Sequence, residues 1–285
     1  MRRSLLFIPS NTPAMLQNAD VFAADAVIFD LEDAVLLSEK DAALNLLNQF
    51  LSLFPLGSVE KVVRINGLDS SLGFVDLTTI VTDKIDTIML PKATKEMTLL
   101  LVEVLRKIEK KTKMTKKIGI IPIIEKASSV LEVADIAKIE RVNGLLLGGE
   151  DLATDLEVQR TENGLEILFS RQIVILAAKA NQIDAIDTPY TNTTNQSGFE
   201  SDSEFAKSLG MNAKACIHPI QIETVNKIFS PKVSEIEYAL KVIAAYEAAI
   251  LEKRGAFSVD GKMVDKPVIE RAQKVIEKAK LWNLL

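Results

Sequence analysis

The sequence predicts a (β/α)8 barrel carrying a C-terminal extension. Three observations lead there. Eight short apolar runs rich in Ile, Leu, Val and Ala recur along the chain, each followed by a polar tip. Stretches of helical spacing separate them, which is the signature of a parallel sheet wrapped by helices. No G-x-G-x-x-G follows any run, so the competing fold, an open doubly wound sheet, lacks its dinucleotide fingerprint. Eight strand–helix units within about 230 residues match the barrel.

The runs are Leu5–Ile8, Ala26–Phe29, Val62–Ile65, Thr87–Leu90, Ile118–Ile124, Gly144–Leu147, Ile183–Ile186 and Lys214–Ile217. Between and after them, helical spacing is read at Ala14–Ala23, Ser38–Leu53 (Ser38 as N-cap before Glu39), Leu72–Val81 and Lys95–Lys110, then at Ser128–Ile139, Leu165–Asn181, Ser203–Leu209 and Gln221–Phe229. TNTTNQSGFESD, residues 191–202, reads as a solvated loop after the seventh strand. Residues 1–229 then form the barrel and 230–285 the extension. The extension reads as a helix over Val233–Lys253, a turn-rich GAFSVDGKMVDKP whose Asp260-Gly261 signals a hairpin, and a helix over Pro267–Trp282.

Composition narrows the function classes. Of 285 residues, 48% are hydrophobic but only 5% aromatic, which suits Val/Ile/Leu-rich strands buried on both faces. A net charge of −5 argues against an electrostatic grip on nucleic acid. The basic cluster Arg106–Lys117 reads as a solvated helix end. One cysteine, Cys216, permits no internal disulfide and fits a reducing cytoplasm, as a small core hydrophobe. The apolar run near the N-terminus stops at Pro9, too short for a secretory signal, and no apolar stretch suits a membrane span.

In a barrel of this kind the chemistry gathers at the C-terminal ends of the strands. Those ends carry Asp30, Glu32 and Asp33 after the second run, Arg64 in the third, Lys92 after the fourth and Glu125 after the fifth. Glu150 and Asp151 follow the sixth, Asp187 the seventh and His218 the eighth. Carboxylates crowded on one rim raise one another's pKa unless a cation neutralises them. Oxygen donors suit Mg2+, and one His with one Cys makes no zinc site. Asp30, Glu32 and Asp33 suit helix-start salt bridges as well as a site. Arg64, a cation inside an apolar strand, needs an anion, either a rim carboxylate or a substrate. Gly148 and Gly149 admit a close approach ahead of the acidic pair.

Taken in order, RRSLLFIPSN, AVIFDLEDAV, VVRING, IMLPKA, PIIEKASSVL, LLLGGEDLATDL, ILFSRQIVILAAKA, ACIHPIQIETVNKIFSP and GAFSVDGKMVDKP resemble the citrate lyase beta subunit family, a branch of the HpcH/HpaI aldolase superfamily. The resemblance implies a Mg2+-dependent carbon–carbon lyase. Such an enzyme cleaves a citryl, malyl or citramalyl thioester, carried on coenzyme A or an acyl carrier protein, to an acyl thioester and a 2-oxo acid. It implies Glu125 and Asp151 as metal ligands, Arg64 as the substrate-binding arginine and Asp265 as a lid aspartate that moves the proton. Glu150 would stand behind Asp151, while Asp30, Glu32 and Asp33 orient waters and Arg64. A homo-oligomer is implied, a trimer in particular, with the lid reaching a neighbouring subunit; other citrate lyase subunits are further candidate partners. Ser10 stands where the family commonly has glycine, and the IHP at 217–219 leans toward stand-alone CoA-dependent relatives. Two other readings are an aldolase acting on a free oxo acid and a subunit mainly for assembly or carrier docking.

Overall fold

The computed structural model describes residues 1–251 and 257–285. The chain forms two compact units, 1–226 and 227–285.

The first unit is a closed parallel barrel of eight strands in sequential order. They are β1 (Ser4–Pro9), β2 (Ala26–Asp30), β3 (Glu60–Arg64), β4 (Thr87–Leu90), β5 (Gly119–Ile124), β6 (Gly144–Leu147), β7 (Asp184–Asp187) and β8 (Ala213–Cys216). Each lies within two residues of its expected run. The helices are α1 (Pro13–Gln17), α2 (Lys40–Leu53), α3 (Ser71–Ile80), α4 (Lys95–Thr112), α5 (Ala127–Ile136), α6 (Gly149–Asp155), α7 (Leu168–Ala180), α8 (Gln196–Leu209) and α9 (Ile220–Phe229). β1 pairs with β2 and with β8, which closes the ring.

The period of two sets what faces inward. Leu5, Ala26, Ile28, Val62, Met89, Ile121, Ile123, Leu146, Ile186, Ala213 and Ala215 pack as one buried cluster filling the barrel. Below them Arg2 seals the floor. Its guanidinium bonds Glu60 through Nε at 2.5 Å and Nη2 at 2.7 Å, and Asp184 through Nη1 at 2.9 Å, with Asn143 Oδ1 at 3.1 Å.

Four expectations need correction. α1 ends at Gln17 instead of running to Ala23. Ser38 caps nothing; it lies in a 3-10 turn, Leu37–Glu39, and α2 starts at Lys40. Residues 149–155 form a helix of their own, α6, ahead of α7. Residues 196–202 are not loop but the first half of α8: Asn195 accepts from Gly198 N at 3.0 Å, and Phe199, Asp202, Ser203 and Ala206 line its buried face.

In the second unit, α10 (Val233–Leu251) and α11 (Lys266–Leu281) pack with a hairpin of β9 (Phe257–Val259) and β10 (Lys262–Val264). Asp260 and Gly261 both take positive φ, 49° and 76°, as a two-residue turn of this type requires. Ala239, Val242, Val259, Val264 and Ala272 form the core. The end of the expected helix at 252–253 and the start of GAFSVDGKMVDKP at 255–256 fall outside the described residues. No described helix is long and apolar enough to cross a membrane.

Candidate active site at the barrel mouth

The alternation that buries Ile28, Val62, Ile123 and Leu146 carries on to the strand ends. Two residues further along each strand it aims Asp30, Arg64, Glu125 and Gly148 into the mouth. Asp30 and Arg64 are register partners on β2 and β3. Arg64 donates from Nε to Asp30 Oδ1 at 2.8 Å and from Nη2 to Asp30 Oδ2 at 2.5 Å. Nη1 lies 3.0 Å from Glu32 Oε2 and 4.0 Å from Asp33 Oδ2. The guanidinium sits 4.9 Å from the Phe7 ring centroid. Burial works against its charge, but the bonds to Asp30 and the nearby acids outweigh that and raise its pKa. Asp30 is itself held by the Glu32 and Ala34 amides at 2.9 and 3.3 Å.

Across the mouth, Lys92 bridges two acids. Its Nζ reaches Glu32 Oε1 at 2.8 Å, and its backbone N–H bonds Glu125 Oε1. Lys92 holds φ at +48°, a left-handed conformation rare for a side chain of this kind. Glu32 is buried, and its Oε2 has no aligned hydrogen-bond donor. Burial raises the Glu32 pKa against the opposing pull of Arg64 and Lys92.

Glu125 is 4% exposed. Burial first, then the charges of Asp151 and Glu32, push its carboxyl up to about 8. Gly148 lies directly against it: a Cβ there would meet Glu125 Cβ and Oε2 at 2.6 Å. Asp151 is exposed in the first turn of α6, and Glu150 turns to Arg160 Nε at 3.1 Å. The paired glycines of LLLGGED thus have a steric reason, since any side chain at 148 would displace the Glu125 carboxylate.

Whether this set suits a metal ion follows from its charges. Asp30 and Glu32 are matched by Arg64 and Lys92, whereas no Lys or Arg among the described residues pairs with Glu125 or Asp151. Two unmatched carboxylates, one pushed up to about 8 by burial and then by its acidic neighbours, leave the charge a hard divalent cation neutralises. Among the described residues no three His, Cys, Asp or Glu gather as ligands. Two carboxylates with the remaining positions left to water and substrate suit Mg2+.

Sequence reasoning missed a second ionic cluster beside the mouth. Because Ala213 and Ala215 face inward, Lys214 faces the helix layer, where it is fully buried. Its Nζ bonds Asp187 Oδ2 at 2.5 Å, Asp202 Oδ2 at 2.7 Å and the Thr188 carbonyl at 2.8 Å. Arg171, also fully buried, bonds Asp187 at 2.9 and 3.1 Å and Asp202 at 2.7 Å. Two cations and two anions cancel, as burial demands. The available signal was Arg171 on the buried stripe of α7, in line with Val174, Ile175 and Ala178. His218 is local: its Nδ1 accepts from Ile220 N at 3.2 Å. Asp265, in the second unit, caps α11 by accepting from Val268 N at 3.2 Å.

The chain is similar to known proteins over its full length. The beta subunit of citrate lyase from Leuconostoc mesenteroides subsp. cremoris is 40% identical over all of this chain and 95% of its own length. A (3S)-malyl-CoA thioesterase of Cereibacter sphaeroides is 34% identical over 97% of this chain and 94% of its own. The crystal structure of the CitE protein of Mycobacterium tuberculosis, in complex with magnesium, acetoacetate and coenzyme A, superposes with a TM-score of 0.78 at 30% identity and covers 97% of both chains. Residues 3–219 match the family described as HpcH/HpaI aldolase/citrate lyase, and this chain belongs to it.

Proposed function

We propose that this protein is a Mg2+-dependent carbon–carbon lyase. It cleaves a 2-hydroxy-acid acyl thioester of the citryl, citramalyl or malyl type to an acyl thioester and a 2-oxo acid such as oxaloacetate. The observation that carries the reading is the unmatched pair Glu125 and Asp151 opposite Arg64 at the barrel mouth. Family membership and relatives named for citrate lyase and malyl-CoA chemistry support it.

Glu125 and Asp151 would hold the metal, which when bound supplies Lewis-acid chemistry to the 2-hydroxy-acid end of the substrate. Lys92 fixes Glu125 through its backbone N–H and fixes Glu32 through its ammonium. Asp30 and Glu32 hold the guanidinium plane of Arg64, with Asp33 at its edge. Arg64 then offers Nη1 toward the negative charge that grows on the thioester as the carbon–carbon bond breaks. The hydroxyl loses its proton as it becomes the ketone of the oxo acid, and the electron pair of the broken bond passes into the thioester enolate. The hydroxyl proton passes to solvent and Asp265 relays a proton from solvent to the α-carbon, so one proton leaves, one enters, and atoms and charge balance. In this reading the active enzyme is a cytoplasmic homo-oligomer, a trimer in particular, whose lid aspartate serves a neighbouring subunit. Coenzyme A or an acyl carrier protein carries the thioester, and other citrate lyase subunits are candidate partners.

The test is a cleavage assay on the purified chain with citryl-CoA, (S)-citramalyl-CoA and malyl-CoA, following oxo acid and free thiol together. Oxo acid released from one thioester, abolished by EDTA and in Asp151→Ala, is the expected result. Free thiol without oxo acid would mark hydrolysis instead. No turnover of any thioester, with metal binding intact, would favour the free-acid aldolase or the assembly subunit.

A further inference from the structure

The buried cluster of Arg171, Asp187, Lys214 and Asp202 has no place in the reaction just described, and its four charges offset the cost of burial only by fixing one another in place. Its connections lead to the metal side of the mouth. Lys214 Nζ donates to the carbonyl of Thr188, the residue that follows the last residue of β7, Asp187. Thr188 is fully buried, and its hydroxyl accepts from the backbone N–H of Gly149 at 2.9 Å. Gly149 opens α6, and Asp151 lies two residues further on in the same turn.

A helix start leaves its first N–H groups without partners, and Gly148, at the cap position, has no side chain to satisfy them. The Thr188 hydroxyl fills that role from the loop that leaves β7. The fit is close, since a Cβ on Gly149 would stand 2.8 Å from Thr188 Oγ1. Thr188 is thus gripped from both sides, its carbonyl by the ionic cluster and its hydroxyl by α6.

We propose that Thr188 is a positioning residue for the metal ligand Asp151, anchored by the Lys214 cluster so that the first turn of α6 presents its carboxylate to the ion at a fixed place. The inference rests on Glu125 and Asp151 being the metal ligands. It gives the paired glycines separate tasks: Gly148 leaves room for the Glu125 carboxylate and Gly149 for the Thr188 hydroxyl.

The test compares Thr188→Val, which keeps the shape and removes the hydroxyl, with Thr188→Ser, which keeps the hydroxyl. Mn2+ affinity is titrated by electron paramagnetic resonance of the free ion, with Asp151→Ala as the reference for a lost ligand. Amide exchange over 148–156 is followed in metal-free protein. Partners that orient a ligand typically change metal affinity about 10- to 100-fold. The expected result is Mn2+ binding weakened about tenfold in Thr188→Val and restored in Thr188→Ser, with faster exchange over 148–156 in the Val variant alone. Wild-type affinity in Thr188→Val, while Asp151→Ala has lost it, overturns the proposal and leaves the metal site standing. A Thr188→Val chain that does not fold also overturns it, because the hydroxyl would then support the whole barrel. A wild-type protein that binds no Mn2+ removes the metal site and this inference together.

Discussion

Arg64 grips both carboxylate oxygens of Asp30, at 2.8 and 2.5 Å, through the flat edge formed by Nε and Nη2. The opposite corner, Nη1, is left toward Glu32 and the mouth. A lysine keeps the charge but cannot hold two oxygens in one plane. Arg64→Lys is therefore expected to fold and bind Mn2+ near normally while kcat/KM falls about 100-fold, in line with the loss of one preorganised donor. Steady-state kinetics beside a Mn2+ titration check it; unchanged kinetics would remove Arg64 from the chemistry.

The Glu125 carboxyl sets a pH dependence with a definite sign. Its ordinary value is 4.5, and burial, then Asp151 and Glu32, push it up to about 8 in the folded metal-free chain. Between those values the folded state keeps a proton the unfolded state has lost, so stability falls as pH rises through that window. If Glu125 is a ligand, bound Mg2+ would hold its carboxylate ionised and remove this slope. Melting curves from pH 5 to 9 should show Tm of the EDTA-treated protein declining with pH, and the gain on adding Mg2+ should be largest at the alkaline end. A Mg2+ effect independent of pH would count against Glu125 as a ligand.

Gly148→Ala places a methyl group 2.6 Å from the Glu125 side chain. The carboxylate has to move, and Mn2+ affinity should drop at least about tenfold with a proportional loss of turnover. Gly57→Ala, where a Cβ meets nothing within 4 Å, is the matched control and should be neutral.

Asp265 caps α11, so replacing it with alanine would confuse a lost cap with a lost acid. Asparagine caps as well as aspartate does. Asp265→Asn should preserve Tm and Mn2+ binding while kcat falls by about 10²- to 10⁴-fold, the usual worth of a positioned proton donor. A nearly normal kcat would confine Asp265 to capping.

Cys216 is fully buried on β8, and burial pushes its thiol up to about 12. Native protein at pH 8 should resist thiol reagents and react only on opening. The labelling rate should then track denaturant as global unfolding does. Rapid labelling of the native protein would show that β8 opens locally.

The strands were legible because buried parallel strands are written as unbroken apolar runs, Ile118–Ile124 above all. The mouth was legible for the same reason: a charge such as Glu125 at the end of such a run stands out. What escaped was encoded elsewhere. The first half of α8 is almost wholly polar, and only Phe199 and the Asn195 cap betray it. Ser38 looked like a cap from composition, but a 3-10 turn occupies its place. Asp187 was visible at a strand end. Its ties to Arg171, Lys214 and Asp202 depend on two strands and two helices meeting, and no local pattern encodes that.

The seal that Arg2 makes at the barrel floor joins residues 182 positions apart in the chain. β1 likewise must find Lys214, Ala215 and Cys216 on β8. During synthesis the first strand leaves the ribosome with one edge partner close behind and the other still untranslated. The ring therefore cannot close until synthesis of the first unit is nearly complete, and until then β1 has an edge without its partner.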